Sequence, residues 1–316
     1  MRRFAAWLLL VTVAAPAAAP DRAGADVEVR WLGVAGFTLR SGDTVIAEDP
    51  YLSRPGLLTL LFRSYQPDAA VLDRMLGPTS PVPELARASL LLVGHSHFDH
   101  LGDVPAIAQR SAARVVGSAT TANIARAYGL AVERALVANP GAVFEEGAFE
   151  LRVFESRHAR VLAGRVPFEG ELSEPPEAPL HAFSFVLGDA RGYLVTERAT
   201  GLRVAILSSA GRHLPALEEI GRLAAPVDLL LAASQGGDAD YARDLVRTLR
   251  PRVVVPHHFD DFRIPLDDPA AGAPADEEAL TAFEAQLRDA ASTEGVALEI
   301  RRPKLFEVIT LAAGHA

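Results

Sequence analysis

The 316-residue chain contains no cysteine. Disulfides, thiolate metal ligands and a lipid anchor on an N-terminal cysteine are therefore excluded. Any bound metal must be held by nitrogen and oxygen. Lysine is almost missing as well: Lys304 is the only one, so the positive charge rests on arginine. There is no excess of that charge either, since the formal net charge is −9. This sign disfavours non-specific binding to nucleic-acid phosphates. Long apolar runs are scarce. The one candidate, "FAAWLLLVTVAAPAAA", follows Arg2 and Arg3, is interrupted by Pro16, and leads to a small-residue "AGA" at 23–25. It reads as a signal peptide over 1–25 rather than a membrane-spanning helix. Its removal takes three arginines and one aspartate from the count, changing −9 to about −11. The expected location is periplasmic or secreted, with no stable membrane anchor after cleavage.

What is present suits a globular protein. Hydrophobic residues are 49% and charged residues 22%, enough for a sizeable core within one domain over 26–316. Val27, Val29 and Trp31 alternate with Glu28 and Arg30, the period of a half-buried strand. Phe37 and Leu39 repeat it, and "SGD" at 41–43 turns the chain into "TVIAED", giving an antiparallel meander. Residues 51–88 carry five prolines and short helical patches, and read as an insertion on the rim. "SLLLVG" at 89–94 and "LRVAILSS" read as buried strands, "FELRVFES" as an alternating one. "AFSFVLG" and "GYLVTE" predict a hairpin. "DVPAIAQRSA" and "TTANIARAYG" predict helices, and "VDLLLAA", "DADYARDLVRTLR" and "RVVVP" a β-α-β unit. Meanders followed by helix-strand alternation occur in both halves. The pattern predicts an α/β protein with two sheets packed together and helices outside.

Of nine histidines, three fall within "VGHSHFDHLGD" at 93–103, directly after a predicted strand. His95 and His97 stand two residues apart and can clamp one ion. Asp99 and His100 reach a second position. His158 follows "FELRVFESR", and His257 and His258 follow "RVVVP", again at strand ends. Layered α/β proteins build their sites outside the carboxyl ends of strands.

These residues resemble the metallo-β-lactamase superfamily. "HSHFDH" matches the HxHxDH signature of that superfamily. "WLGVAGFTLRSGDTVIAEDPYLS", "VDLLLAASQGG" and "LRPRVVVPHHFDDF" resemble the branch with ascorbate-phosphate lactonases and N-acylphosphatidylethanolamine phospholipase D. The resemblance implies an αββα sandwich of two mixed β-sheets with helices on the outer faces. It implies one metal on His95, His97 and His158, and a second on Asp99, His100 and His258. His257 then stands behind the ligands or serves the structure. The family places a metal-bridging aspartate where this chain has Ser209, so the second metal is expected to bind less tightly. His213 is near enough in sequence to compensate, or belongs to the surface of the next helix.

The expected activity is hydrolysis of an ester, lactone or phosphodiester by a metal-activated water, with Zn²⁺ as one or two ions and Mn²⁺ or Fe²⁺ as alternatives. Asp99 is the expected catalytic residue. Asp49 is expected to orient a ligand histidine, with Asp260 and Asp261 as weaker candidates. The substrate is a small molecule, and "PGLLTLLF" at 55–62 is apolar enough to meet an acyl chain. The competing expectation is a metal-binding or sensory module without turnover. A nuclease is disfavoured by the negative charge, and a classical β-lactamase by the sequences around Asp49 and His258.

Overall fold

A computed structural model describes residues 26–312. The segment read as a signal peptide lies outside them. The architecture has four layers: helices, sheet, sheet, helices. The first sheet opens with the expected meander of β1 (Val27–Gly33), β2 (Gly36–Ser41) and β3 (Thr44–Glu48), all antiparallel. It continues in parallel through β4 (Leu90–Leu92), β5 (Arg114–Gly117) and β6 (Ala135–Val137). In the second sheet β7 (Val143–Glu146), β8 (Phe149–Glu155), β9 (Arg191–Glu197) and β10 (Arg203–Leu207) are antiparallel neighbours. Then β11 (Leu229–Ala233), β12 (Val253–His257) and the short β13 (Glu299–Ile300) extend it in parallel. The chain closes by returning β14 (Val308–Leu311) to the first sheet, beside β1.

Side-chain alternation explains the layering. In β4, Leu90 and Leu92 join the apolar layer between the sheets, while Leu91 and Val93 face the helices. Likewise in β11, Leu229 and Leu231 face the other sheet and Leu230 and Ala232 face outward. Strands buried on both faces need such continuous apolar runs. The outer layers are α4 and α5 (Val104–Ser111, Ala119–Ala127) on one sheet, and α6, α7 and α8 (Leu214–Ala224, Ala239–Leu249, Glu277–Glu294) on the other.

Residues 51–88 contain no strand, only α1 (Leu57–Phe62), α2 (Ala69–Met75) and a short 3₁₀ turn. Asp103 fastens this insertion: its carboxylate accepts from Leu52 N, Ser53 N and Ser53 Oγ at 2.7 Å each, and from Tyr65 Oη at 2.8 Å. Arg54 adds a fully buried ion pair with Asp260 at 2.8 Å. One expectation is corrected here. "AFSFVLG" forms no hairpin with "GYLVTE": Ala182–Ser184 is a 3₁₀ turn, and β9 pairs with β8 and β10 instead. β8 and β10 occupy the two edges of β9, which leaves no edge for the apolar segment before it.

Candidate metal centre

The carboxyl ends of β4, β8, β10 and β12 converge, and the histidines sit on the loops that follow. After β4 the two sheets approach so closely at Gly94 that a Cβ there would fall 2.1 Å from Ser208 Oγ. Only glycine fits. His97 then starts the four-residue helix α3 (Phe98–Leu101), with Leu101 N donating to His97 O at 2.9 Å. This single turn swings Asp99 and His100 back toward His95.

Two groups of three result. His95, His97 and His158 form one, and Asp99, His100 and His258 the other; in each, the ligand atoms lie within 4.8 Å of one another. His95 Nε2 and His97 Nδ1 are 3.1 Å apart. His258 Nε2 lies 3.2 Å from His100 Nε2 and 3.4 Å from Asp99 Oδ2. The groups adjoin, with the His95 and His100 rings 3.8 Å apart between centroids. Each group draws one histidine from the second sheet, His158 after β8 and His258 after β12. The other members come from the β4 loop of the first sheet.

The outer ring nitrogens set the tautomers. His97 Nε2 donates to Pro167 O at 3.1 Å, and His158 Nδ1 to Ala159 O at 2.6 Å. His100 Nδ1 donates to Asp49 Oδ2 at 2.7 Å, while Asp49 Oδ1 accepts from Gly94 N at 2.9 Å. These bonds leave lone pairs on the inner nitrogens of all three rings, the arrangement metal-bound histidine requires. Burial holds His97 down to about pKa 3 and His158 to about 4, so both stay neutral ligands. Burial alone would raise the Asp99 carboxyl, but His100 and His258 outweigh it and hold it well below the usual range. For His100, burial acts downward and is overcome by Asp49 and Asp99, which raise it. The donor set of imidazole and carboxylate fits a borderline divalent ion such as Zn²⁺, and a tetrahedral ion held by three protein ligands would keep one position for water.

Backbone strain marks the same place. Asp49 (φ 41°) and His258 (φ 57°) both adopt the left-handed region, rare for non-glycine residues and concentrated at functional sites. His258 N is held there by Val34 O at 2.9 Å.

The remaining candidates separate. His257 points between the sheets, fully buried and edge-on to Phe37 at 5.2 Å, and shares no hydrogen bond with a ligand. Ser209 Oγ accepts from Ala159 N at 3.1 Å, so it fixes the backbone beside His158. Ser208, which sequence reasoning passed over, donates to buried Glu48 at 2.5 Å. The expectation that Asp260 orients a ligand histidine is corrected: its carboxylate is consumed by Arg54 and by Val34 N at 2.8 Å. Asp261 pairs with Arg263, and His213 with Glu155 at 3.2 Å. Also unforeseen was the Pro167 carbonyl behind His97; a main-chain acceptor carries no residue-type signal. A cleft of about 770 Å³ opens beside His158, lined also by Arg157, Arg160, Glu169 and Gly236.

The family described as beta-lactamase superfamily domain matches residues 28–258. A protein of Anaeromyxobacter sp. (strain K) named as a metal-dependent hydrolase is 28% identical over 279 residues, 86% of each chain. Another of that name from Methanosarcina mazei is 25% identical over 248 residues, 78% of this chain and 88% of its own. Among solved structures, Igni18, a metallo hydrolase from Ignicoccus hospitalis, has TM-score 0.56 at 18% identity, covering 91% of this chain and 99% of its own. An isothiocyanate hydrolase from Delia radicum gut bacteria has TM-score 0.53 at 14% identity, covering 90% and 100%.

Proposed function

This chain belongs to the beta-lactamase superfamily, and we propose that it is a metal-dependent hydrolase of an ester, lactone or phosphodiester. The observation that carries this reading is the pair of adjoining three-ligand groups, with the outer nitrogens of His97, His100 and His158 already committed to acceptors. His95, His97 and His158 would hold the first ion; Asp99, His100 and His258 would hold the second. When bound, such an ion lowers the pKa of water from 15.7 to about 7 and so supplies a nucleophile at neutral pH. Asp49 keeps His100 in its ligating tautomer. Asp99, kept ionised by its neighbours, turns one carboxylate oxygen toward His100 and His258 and can orient the attacking water with the other. Zn²⁺ suits this donor set, with Mn²⁺ and Fe²⁺ as alternatives.

The surface of α1 supports an acyl-bearing substrate. Leu58 and Phe62 are 72% and 77% exposed, and Leu57 and Leu61 lie beside them. His181 Nε2 donates to Leu61 O at 3.0 Å; next to it Phe183 stacks on Phe168 at 5.1 Å, and Phe168 meets the edge of His97 at 5.8 Å. This apolar path runs from α1 to the ligands and suits an acyl chain. The apolar segment at the N-terminus supports action outside the cytoplasm.

The test is chelator-treated protein reloaded with Zn²⁺, Mn²⁺ or Fe²⁺ and assayed on esters, lactones and phosphodiesters of rising chain length. Turnover should return with metal. Four added methylenes should raise kcat/KM roughly 100-fold, from about 0.8 kcal/mol each. Leu58→Ser with Leu61→Ser should flatten that response. Metal uptake without turnover on any substrate would favour a binding module.

A further inference from the structure

Beyond His158 the chain forms a tight hairpin. Leu162 and Arg165 exchange backbone hydrogen bonds of 3.1 and 2.9 Å, and Ala163 and Gly164 between them both have positive φ. This is the two-residue turn that matches strand twist. The loop is tied to ligands at both ends, following His158 on one side and holding His97 through Pro167 O on the other. Arg160 and Arg165 project from it, both exposed.

Neither guanidinium has a partner within the protein, among the described residues. Both line a cavity of about 580 Å³ with Val166 and Glu169. Arg160, Val166 and Glu169 also line the cleft beside His158, so the two spaces adjoin. Most other charges in that cleft are engaged. Glu155 meets His213 and Arg157, Arg212 meets Asp240 and Asp244, and Asp189 meets Arg191. Asp238 caps α7 through Tyr241 N. Around the smaller cavity the free charge thus consists of two guanidiniums against the single carboxylate of Glu169, while Asp238, whose cap bond comes from a neutral N–H, keeps its charge elsewhere in the cleft. That excess of positive charge would be repelled by any cation held in the neighbouring centre. An anion placed between them relieves that repulsion.

We propose that Arg160 and Arg165 form an anion subsite, and that the substrate carries a carboxylate or phosphate group set apart from the bond that is cut. The planar guanidinium fork fits either oxyanion. This deepens, and rests on, the hydrolase reading. Glu169 opposes the anion and limits how tightly it is held.

The experiment compares p-nitrophenyl acetate with p-nitrophenyl hemisuccinate on the isolated protein, two esters that share a leaving group and differ by one carboxymethyl group, the carboxylate with its methylene. The hemisuccinate should be preferred, and the preference should weaken as salt rises. Arg160→Ala with Arg165→Ala should lower the hemisuccinate-to-acetate ratio of kcat/KM about tenfold, near the upper range for two exposed charge contacts. Arg160→Lys with Arg165→Lys should retain part of it, and Glu169→Gln should raise it. Calorimetric titration with glutarate and with phenylphosphonate needs no turnover, and the tighter ligand identifies the anion. An equal loss on both esters would mean that the arginines only shape the loop, and the proposal fails. So would glutarate and phenylphosphonate binding unchanged in the alanine variant. Absence of turnover on either ester counts against the hydrolase reading alone, and the titrations still decide the anion site.

Discussion

Asp49→Asn is the most informative single change. Both oxygens of Asp49 are in use, one on His100 Nδ1 at 2.7 Å and one on Gly94 N at 2.9 Å. Asparagine keeps the size and one acceptor but turns an N–H₂ group toward the other donor. Either His100 loses the bond that sets its tautomer, or Gly94 N is left buried without a partner. The first outcome costs about 10- to 100-fold in metal affinity, the usual effect of losing an acceptor behind a ligand histidine. The second costs about 1–3 kcal/mol of fold stability. Because His100 is the only one of the six ligands that Asp49 bonds, the loss should fall on the ion that Asp99, His100 and His258 would hold. The three-histidine group should keep its own. Stepwise competition with a chelating dye, read beside the melting temperature, separates these effects. Affinities within twofold of wild type at both positions, with an unchanged melting temperature, would refute the assigned role; so would equal weakening of both.

Three further outcomes are expected. His258→Ala should abolish turnover and lower metal content by elemental analysis, while His257→Ala should keep the metal and lower the melting temperature; the reverse would move the ligand one residue back. Ser209→Asp should slow the loss of the more weakly held ion on dialysis, because a carboxylate would stand where only a hydroxyl serves Ala159 N; unchanged loss would show that the missing carboxylate belongs elsewhere. Finally, burial keeps His97 near pKa 3 and His158 near 4, whereas unfolded histidine titrates near 6.5. The unfolded chain therefore takes up protons first, so chelator-treated protein should be fully stable above about pH 6.5 and lose stability as pH falls toward 4 and 3. Calorimetry showing a melting temperature that is flat or rising over that descent would contradict the burial of these rings.

Much of the fold was legible because its signals are local. Alternation in Val27–Trp31 and Phe149–Glu155, and the runs around Leu91 and Leu230, depend on near neighbours in sequence. The β4 loop was legible for the same reason, since four chemically distinctive residues fall within six positions. What the sequence hid is long-range. Asp260 sits two residues after His258 and looked equally suited to the site, yet a buried arginine 206 residues earlier claims it. His257 and His258 are adjacent and identical, and only His258, with its left-handed backbone, joins Asp99 and His100. No composition signal announces the Pro167 carbonyl, and Arg160 and Arg165 gain meaning only from the cavity they share.

The division of ligands between the sheets bears on how the protein is made. The β4 loop by itself offers each ion only two donors, because the third arrives on the opposite sheet. A chain whose halves have not yet docked can hold metal only loosely, and tight capture must wait for the last long-range step of assembly. Captured metal then drives that step forward by mass action, since it binds the docked state more tightly. Metal uptake followed in time during refolding would thus serve as a clock for the closing of the sandwich, and misassembled chains would reveal themselves by leaving the metal in solution.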